Sequence, residues 1–537
     1  MRIADRPRLL FTIAALVLLA LAYAGRLDGD YVWDDTYLVR DNASLIGAAG
    51  LHRIFTTDLW SSAGQPRSQL FHPLPMLSFW IQAQLGVLTV VASRLVNLAL
   101  HLACGYAFLC LLLRSAVPPL AAAMLALVFV AHPSATEPVM WLTGRHDLLA
   151  TLFALGAFLA WPDGKAERRW RRATLAALFC AGAFLCKEPY IVIPGLLLFV
   201  AGGQRVEDPR ALLRSVLPIG AIGAVLAWRR VLGIMSGSDQ LAAPLGEHAR
   251  NGATILAHYV CHIITVSDGP TIETFHASGS GMAFLVGTGV LGLAIPIVIF
   301  RARVAARWGG FALAWLLLAL APHVLSLPLI GLWSNRYAYF PTAAVLAFVG
   351  AACTLASDRA LRSTLVRACV ALTVVLLATG ALRTRGEALA WHDDLALYGA
   401  SVEAHPEDGR ALYHLGHAIY ARRGCAAALP YYDAAAQHAP AYARASRNLA
   451  GCLINLGRPG DAIAPARLAV LLEPEDSSQQ YNLGAALALS GHSDEAMAVL
   501  ARALVLDPKH ARAAALLARL RTASAEPTLT VPARPAP

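Results

Sequence analysis

Apolar segments recur along the first 382 residues of the chain, and short polar loops separate them. The first covers residues 9–24, and the others are expected at 95–113, 119–131, 148–161, 173–186, 190–201, 216–228, 282–300, 311–327, 339–356 and 366–382. Helices of this length approach the hydrocarbon thickness of a bilayer. The pattern predicts an all-α polytopic membrane part, residues 1–382, with about eleven spanning helices.

The loop charges give the expected orientation. Arg2, Arg6 and Arg8 precede the first segment, and the other basic clusters all fall in loops that share its side, as cytoplasmic loops do. The first loop beyond the membrane, residues 25–75, therefore lies outside the cytoplasm. With an odd number of spans, so does everything after residue 382. The first segment also ends in a signal-peptidase-like sequence, so cleavage and retention both stay open.

Composition supports the same class. The chain of 537 residues is 57% hydrophobic and 15% charged, with a mean hydropathy of +0.55, whereas soluble domains carry about 25% charged residues. Its net charge of +10 lies in the loops and does not indicate nucleic-acid binding. Most of the nine cysteines lie inside apolar segments, without metal-ligand spacing, and are expected to be small core residues.

A soluble repeat domain is expected at residues 383–522. Pro406, Pro440, Pro474 and Pro508 are 34 residues apart, the period of tetratricopeptide repeats. The spacing predicts an α-solenoid with repeats at 409–442, 443–476 and 477–510, then a disordered tail at 523–537. Two cysteines of the repeats, at positions 425 and 452, are predicted to form either a disulfide or two separate thiols.

An acidic pair in the first outer loop is the strongest candidate for chemistry. Asp34 and Asp35 are flanked by Tyr31, Trp33 and Tyr37, and aromatic rings favour membrane interfaces. One carboxylate there can accept a proton from a hydroxyl, while its neighbour orients it or helps to hold a divalent metal such as Mg or Mn. Solvated loop charges or a helix cap are the alternative.

Charged residues also gather in the later outer loops. Arg145 offers a guanidinium suited to phosphate, whereas Asp147 can simply cap the next helix. Lys187 and Glu188 are either functional or a mutually neutralising pair, and Arg336 either binds a ligand or snorkels to the interface.

Several motifs occur together in one order. They are Trp33-Asp34-Asp35, Phe71-His72-Pro73-Leu74, His132-Pro133 with Glu137, Gly144-Arg145-His146-Asp147, Lys187-Glu188 and Arg336-Tyr337-Ala338-Tyr339, all ahead of the repeats. This order resembles the transmembrane and tetratricopeptide repeat-containing (TMTC) O-mannosyltransferases and their bacterial relatives. Those proteins are GT-C glycosyltransferases, which take a sugar from a polyprenyl-phosphate lipid on the lumenal or periplasmic side.

The resemblance implies a membrane hexosyltransferase, in a bacterial inner membrane, that uses a polyprenyl-phosphate sugar and a protein acceptor recruited by periplasmic repeats. Asp34 or Asp35 would be the catalytic base. His72 stands where the family usually has Arg, and Asn335 where it has Glu, so the sugar, donor or acceptor is expected to differ. The residues expected to bind donor phosphate or substrate are Arg145, Arg336, Lys187, His72, His132, Glu137, Asp147, Glu188 and Tyr337.

Two other functions stay open on the sequence. A ligase or polymerase of lipid-linked glycans can carry such repeats, and its essential residues are expected in the late outer loop, residues 236–281. A noncatalytic membrane scaffold would use the acids only structurally. Transport is disfavoured, because transporters hold ionisable groups within their spans.

Overall fold

The computed structural model describes residues 6–65, 70–161, 169–197, 245–265, 273–274, 307–330, 332–355 and 359–525. These residues are almost entirely helical, as the sequence predicts. Two short strands, β1 (Glu273–Thr274) and β2 (Leu332–Trp333), pair antiparallel. The chain divides into two compact units, Met1–Ala400 and Ser401–Pro537.

The first unit has helices at most of the predicted apolar segments that are described, and further helices between them. They are α1 (Arg6–Tyr23), α2 (Gly47–Thr56), α3 (Leu59–Ser62), α4 (Pro73–Gln84), α5 (Val90–Arg114), α6 (Pro119–Ala131), α7 (Thr136–Met140), α8 (Arg145–Ala160), α9 (Arg169–Phe184), α10 (Leu245–Thr265), α11 (Arg307–Ile330), α12 (Tyr339–Leu355), α13 (Arg359–Ala390) and α14 (Asp394–Ala404). The helix α13 continues through residue 382, where the sequence placed the end of the membrane part.

The predicted count of eleven spans is not confirmed. Among the described residues, two helices are long and apolar enough to cross a membrane, Val90–Arg114 and Asn335–Thr354. A third candidate is the pair Pro119–Ala131 and Pro133–Met140, which is bent by 54°. The segments expected at 216–228 and 282–300 lie outside the described residues, and within the loop expected at 236–281 the structure has the helix α10.

The first unit is built around the helices α5, α6 and α8. Phe108 and Phe129 are fully or almost fully buried between them. His101 on α5 makes a hydrogen bond to the Tyr339 hydroxyl at 2.7 Å and to the Val130 carbonyl at 3.0 Å, which satisfies a polar side chain inside an apolar core. These contacts join α5, α6 and α12 into the packed core that precedes the short helices after α6.

The bend after α6 positions the next polar side chains. Pro133 cannot continue a helix that needs its N–H, and the His132 imidazole Nδ1 accepts the Ser134 amide at 3.1 Å, capping a 3₁₀ turn over Pro133–Ala135. A second 3₁₀ turn, Leu142–Gly144, follows α7. A Cβ atom on Gly144 would come within 2.7 Å of the Pro138 backbone, so only glycine lets this turn pack against α7.

Arg94 holds the first outer loop in place. Its fully buried guanidinium donates to the carbonyls of Asp28 at 2.6 Å, Met140 at 2.9 Å and Trp391 at 2.5 Å. The Asp30 amide adds a bond to the His392 carbonyl at 2.8 Å. The loop is therefore tied both to the turns after α7 and to the segment after α13.

The second unit repeats helix pairs at the predicted period. Its helices are α15 (Gly409–His438), α16 (Ala443–Asn455), α17 (Pro459–Leu472), α18 (Ser477–Leu489), α19 (Ser493–Leu506) and α20 (Ala511–Ala525). Successive first helices begin at 409, 443, 477 and 511, each 34 residues after the last. Within α15, Gly424 has a φ of 74° and breaks the helix into two.

Small residues and a cystine hold these pairs together. Ala428, Ala462 and Ala496, which are 34 residues apart, are fully buried where the paired helices approach closely. Cys425 and Cys452 form a disulfide, so of the two alternatives left by the sequence the bonded one is observed.

Candidate active site

Asp35 is a buried structural anchor. Its side chain is 1% exposed, and its two carboxylate oxygens accept the backbone amides of Thr143 at 3.0 Å and Leu142 at 3.1 Å. The carboxylate thereby caps the Leu142–Gly144 turn, as an acid does at the N-terminus of a helix. Burial nevertheless raises the pKa of Asp35 to about 7, because desolvation of the carboxylate outweighs the two amide bonds that stabilise its charge.

Asp34 is in a different state. Its side chain is half-buried, and no side chain or amide in the described part of the chain donates a hydrogen bond to its carboxylate. Desolvation raises the pKa of Asp34 to about 7, with Arg336 opposing the shift and the charges of Asp35 and Asp394 adding to it. A carboxylate of this kind can take up a proton near neutral pH.

Arg336 is the central cation of the site. It lies in the short 3₁₀ turn Asn335–Ala338 ahead of α12, and its Nη1 donates to Glu137 on α7 and to the Ser334 hydroxyl at 2.5 Å. Glu137 also accepts the Arg336 amide at 2.9 Å. Two bonds from one residue fix both the backbone and the guanidinium, so the charge is held in one place.

Aromatic rings surround this guanidinium. Its Cζ lies 4.7 Å from the Trp141 ring centroid, 4.9 Å from that of Tyr337 and 5.4 Å from that of Trp33. Cations at this distance from an aromatic face are attracted by the ring quadrupole. Among the described residues, Nη2 of Arg336 makes one hydrogen bond, to the Tyr337 hydroxyl at 3.3 Å, so part of its donor capacity is available to a ligand.

Lys187 and Asp147 form a second ion pair beside the first. The Lys187 Nζ donates to the two oxygens of Asp147 at 2.6 and 2.7 Å, and Nε of Arg336 lies 3.9 Å from the same carboxylate. The Asp147 carboxylate and the Arg336 side chain line a small cavity together with His323 and Phe340. The predicted residues Arg336, Lys187, Asp147, Glu137 and Tyr337 are thus brought together.

Lys187 and Glu188 pair with other residues. The mutually neutralising pair, one of the two alternatives that the sequence left open, is not observed. The backbone of Lys187 is extended, with φ −163° and ψ 132°, and successive side chains of an extended chain point to opposite sides. Glu188 therefore turns to His72, whose Nε2 lies 2.7 Å from its carboxylate. The His72 and His146 rings meet edge to face at 5.0 Å.

Two predicted donor-binding residues lie deeper in the structure. Arg145 is fully buried, and its guanidinium donates to Asn97 at 2.8 Å, Gln82 at 2.6 Å, Ser78 at 3.1 Å and the carbonyl of Ser93 at 3.0 Å. It joins α4, α5 and α8. His132 is likewise buried and bonds the Ile263 carbonyl at 3.0 Å. Both sets of partners favour a scaffolding role, and donor binding by either stays a prediction.

Three residues near the site were not predicted from the sequence. Arg94 directly precedes the apolar segment expected at 95–113, and His323 lies inside the one expected at 311–327; an ionisable residue at such a place marks a partnered or functional group. His323 stacks on Tyr337 with ring centroids 4.2 Å apart. Ser334 has no sequence signal, because its role comes from tertiary contacts: its hydroxyl donates to Glu137 at 2.5 Å and accepts from Arg336.

A metal between the two acids stays untested. In the ranges that the structure describes, no three His, Cys, Asp or Glu side chains are grouped closely enough to hold an ion. Both oxygens of Asp35 are already engaged by amides. The arrangement can perform acid–base chemistry through Asp34 next to a fixed guanidinium, which suits a reaction that releases an anion.

The chain is similar to a class of curated proteins, the protein O-mannosyl-transferases, which confirms the resemblance seen in the motifs. A mouse relative, Protein O-mannosyl-transferase TMTC3, is 25% identical over 509 residues, which cover 85% of this chain and 54% of the relative. Tmtc1 of Drosophila melanogaster is 31% identical over 32% of this chain and 20% of its own. Human TMTC4 is 31% identical over 33% and 27%.

The chain spans about half the length of the mouse relative. No family model matches it. Among solved structures, it aligns with the tetratricopeptide repeat protein YrrB, described as having an unusual peptide-binding site, at 18% identity and a TM-score of 0.22, over 41% of this chain and 96% of the other.

Proposed function

We propose that this protein is a membrane glycosyltransferase that moves a hexose, mannose or a close relative, from a polyprenyl-phosphate donor to a hydroxyl of a protein. The observation that carries the proposal is the pairing of a half-buried Asp34, without a hydrogen-bond donor in the described residues, with the fixed cation Arg336. The similarity to protein O-mannosyl-transferases supports it.

In the proposed reaction the hydroxyl oxygen attacks the anomeric carbon of the donor. The bond from that carbon to the phosphate oxygen breaks, the new glycosidic bond forms, and the hydroxyl proton passes to the Asp34 carboxylate. The departing phosphate places its charge near Arg336, whose Nη2 has donor capacity left. Such preorganised cations supply the larger share of transition-state stabilisation, and the base contributes about 10²- to 10⁴-fold.

The ion-pair partners keep that cation in position. Glu137 and Asp147 lie on α7 and at the start of α8, and both are almost fully buried. The site has one acid more than it has cations: Asp34, Glu137 and Asp147 face Arg336 and Lys187. We therefore expect the donor phosphate to share Arg336 and Lys187 with their present partners.

The repeats are proposed to present the protein acceptor on the extracytoplasmic side, in a bacterial inner membrane with a cytoplasmic N-terminus. The Cys425–Cys452 disulfide supports this side, because disulfides persist in oxidising compartments. Tyr413 packs with Tyr442 at 5.1 Å and lies near His417 at 6.2 Å between centroids. Exposed rings of this cluster, such as Tyr420, suit peptide contacts.

The decisive experiment measures transfer of labelled mannose from a polyprenyl phosphate to a Ser/Thr peptide in vesicles that hold the full chain. Asp34→Asn should reduce transfer at least a hundredfold with normal membrane insertion. Asp41→Asn is the matched control, because Asp41 is an exposed acid of the same loop, paired only with Arg40 in the described structure. Full activity of Asp34→Asn would overturn Asp34 as the base, and no transfer by the wild-type chain would overturn the proposed function in favour of a scaffold.

The glycan ligase or polymerase is tested in the same vesicles. Such an enzyme would extend a lipid-linked glycan rather than label the peptide. Its activity would fall with substitutions in residues 236–281 and survive Asp34→Asn.

A further inference from the structure

Two stacked tryptophans lie beside the proposed phosphate cation, and one of them directly precedes the proposed base. The Trp33 and Trp141 rings are stacked, with centroids 5.0 Å apart and 22° between their planes. Trp33 immediately precedes Asp34, and the Arg336 Cζ lies 4.7 Å from the Trp141 ring and 5.4 Å from the Trp33 ring. These rings are therefore the aromatic surface next to both Asp34 and Arg336.

Trp141 has a buried donor without a partner. Its side chain is 7% exposed, and within the described residues nothing accepts its Nε1–H. An indole N–H can only donate, and a buried donor without a partner is destabilising. Trp315 shares this feature, but its ring packs among Phe158, Phe311 and Phe340, whereas Trp141 faces the charged site.

Trp33 is held in an unusual backbone conformation. Its φ of 56° lies in the left-handed region, which is unfavourable for a residue with a Cβ atom. The Asp394 carboxylate accepts its amide at 2.8 Å and fixes this conformation. Strain of this kind persists where the surrounding structure enforces it, often at ligand sites. The Trp33 ring remains half-exposed, so a ligand can reach it.

We propose that Trp33 and Trp141 form the subsite for the hexose ring of the donor. The apolar C–H face of the sugar lies against the half-exposed Trp33 ring, and a sugar hydroxyl oxygen accepts the Trp141 Nε1–H. This inference rests on the proposed function, because that reaction puts the anomeric carbon between Asp34 and Arg336. An aromatic ring with a polar tip offers both contacts that a sugar needs.

Single-deoxy donors test the hydrogen bond directly. One polyprenyl-phosphate deoxyhexose, lacking the contacted hydroxyl, should be transferred by the wild-type chain with about tenfold lower kcat/KM than the parent hexose, since one hydrogen bond is lost. Trp141→Phe keeps a ring and removes the N–H. It should transfer the parent and that deoxy donor at nearly equal kcat/KM.

Trp60→Phe is the matched control. Trp60 lies in the first outer loop, as Trp33 does, but its ring is near Tyr37. It should keep the wild-type preference for the parent hexose. Trp33→Leu should raise the KM for the donor at least fivefold and leave the KM for the peptide unchanged. Thermal unfolding of each variant separates a misfolded chain from a changed subsite.

The outcomes separate this inference from the proposed function. If the wild-type chain transfers hexose and Trp141→Phe discriminates against every deoxy donor as the wild type does, the subsite is refuted and the transferase stands. If the wild-type chain transfers no hexose from any polyprenyl phosphate, the proposed function fails first. In that case, donor binding to the Asp34→Asn chain is monitored by the quenching of its tryptophan fluorescence. Quenching that becomes weaker when Trp141→Phe is added supports the subsite. Absence of quenching refutes it.

Discussion

The raised pKa of Asp34 predicts how the rate depends on pH. Burial raises this pKa from 3.8 to about 7, and the charges of Asp35 and Asp394 add to the shift while Arg336 opposes it. A base must be ionised to accept a proton, so activity is lost as pH falls through about 7 and is full above it. Peptide transfer should therefore show an acidic limb.

The size of the effect follows from that value. At pH 5, two units below the folded pKa, about one Asp34 in a hundred is ionised, so kcat/KM should be about a hundredfold below its plateau. With an ordinary pKa of 3.8, more than nine in ten would be ionised at pH 5. The two cases differ by nearly two orders of magnitude in one measurement.

The assay is transfer to a Ser/Thr peptide by the purified full chain between pH 5 and pH 8.5. Neither the donor phosphodiester nor the peptide hydroxyl titrates in this range. Because Asp35 also titrates near 7 and the two acids are coupled, the limb reports the pair and its slope lies between one and two. A flat profile from pH 5 to pH 8 would refute Asp34 as the base.

Asp394→Asn moves the limb without touching the base. The amide oxygen can still accept the Trp33 amide, which now bonds Asp394 at 2.8 Å, but the charge that helps to raise the Asp34 pKa is gone. The limb should shift to lower pH at unchanged plateau rate. A shift to higher pH would contradict the electrostatic account.

Two further predictions concern stability. Glu137→Gln removes the nearer carboxylate from the mostly buried Arg336 charge, which keeps only Asp147 at 3.9 Å. It should cost about 3 kcal/mol in thermal unfolding of the solubilised chain, whereas Asp41→Asn, at an exposed ion pair, should change the melting temperature little. Equal melting of the two variants would contradict a mostly buried pair. Cys425→Ser removes the disulfide to Cys452, which is 27 residues away in the sequence. The loss should destabilise the repeats by about 3–4 kcal/mol in urea unfolding. The wild-type chain treated with reductant should unfold like the variant, and an unchanged unfolding midpoint would argue against the bond.

Elements with a period were predictable from the sequence. The repeat helices begin every 34 residues because each helix pair must bury the same small positions, such as Ala428 and Ala462. The segment expected at 95–113 lies within the helix Val90–Arg114, since a long apolar run has few alternatives to a helix. Local composition decides such elements, and distant contacts only adjust their ends.

The partners of the charged side chains were not predictable. Arg336 and Glu137 are 199 residues apart in the chain, and no local pattern records that they meet. Arg145 is of a residue type that commonly binds phosphate, but its guanidinium donates hydrogen bonds to Asn97 and Gln82, which belong to two other helices. Neighbouring residues also diverge, as Lys187 and Glu188 do, because the backbone between them is extended.

Partners that are distant in the sequence also explain why two adjacent aspartates differ. Asp35 is committed to two amides of a distant turn, and that commitment leaves Asp34 as the carboxylate whose protonation breaks no hydrogen bond in the described structure. Arg336 lowers the Asp34 pKa, so a phosphate that draws on this guanidinium weakens the effect. As charge develops on the departing phosphate, Asp34 becomes a stronger base. Under the proposed reaction, leaving-group departure and proton transfer therefore assist each other through one arginine.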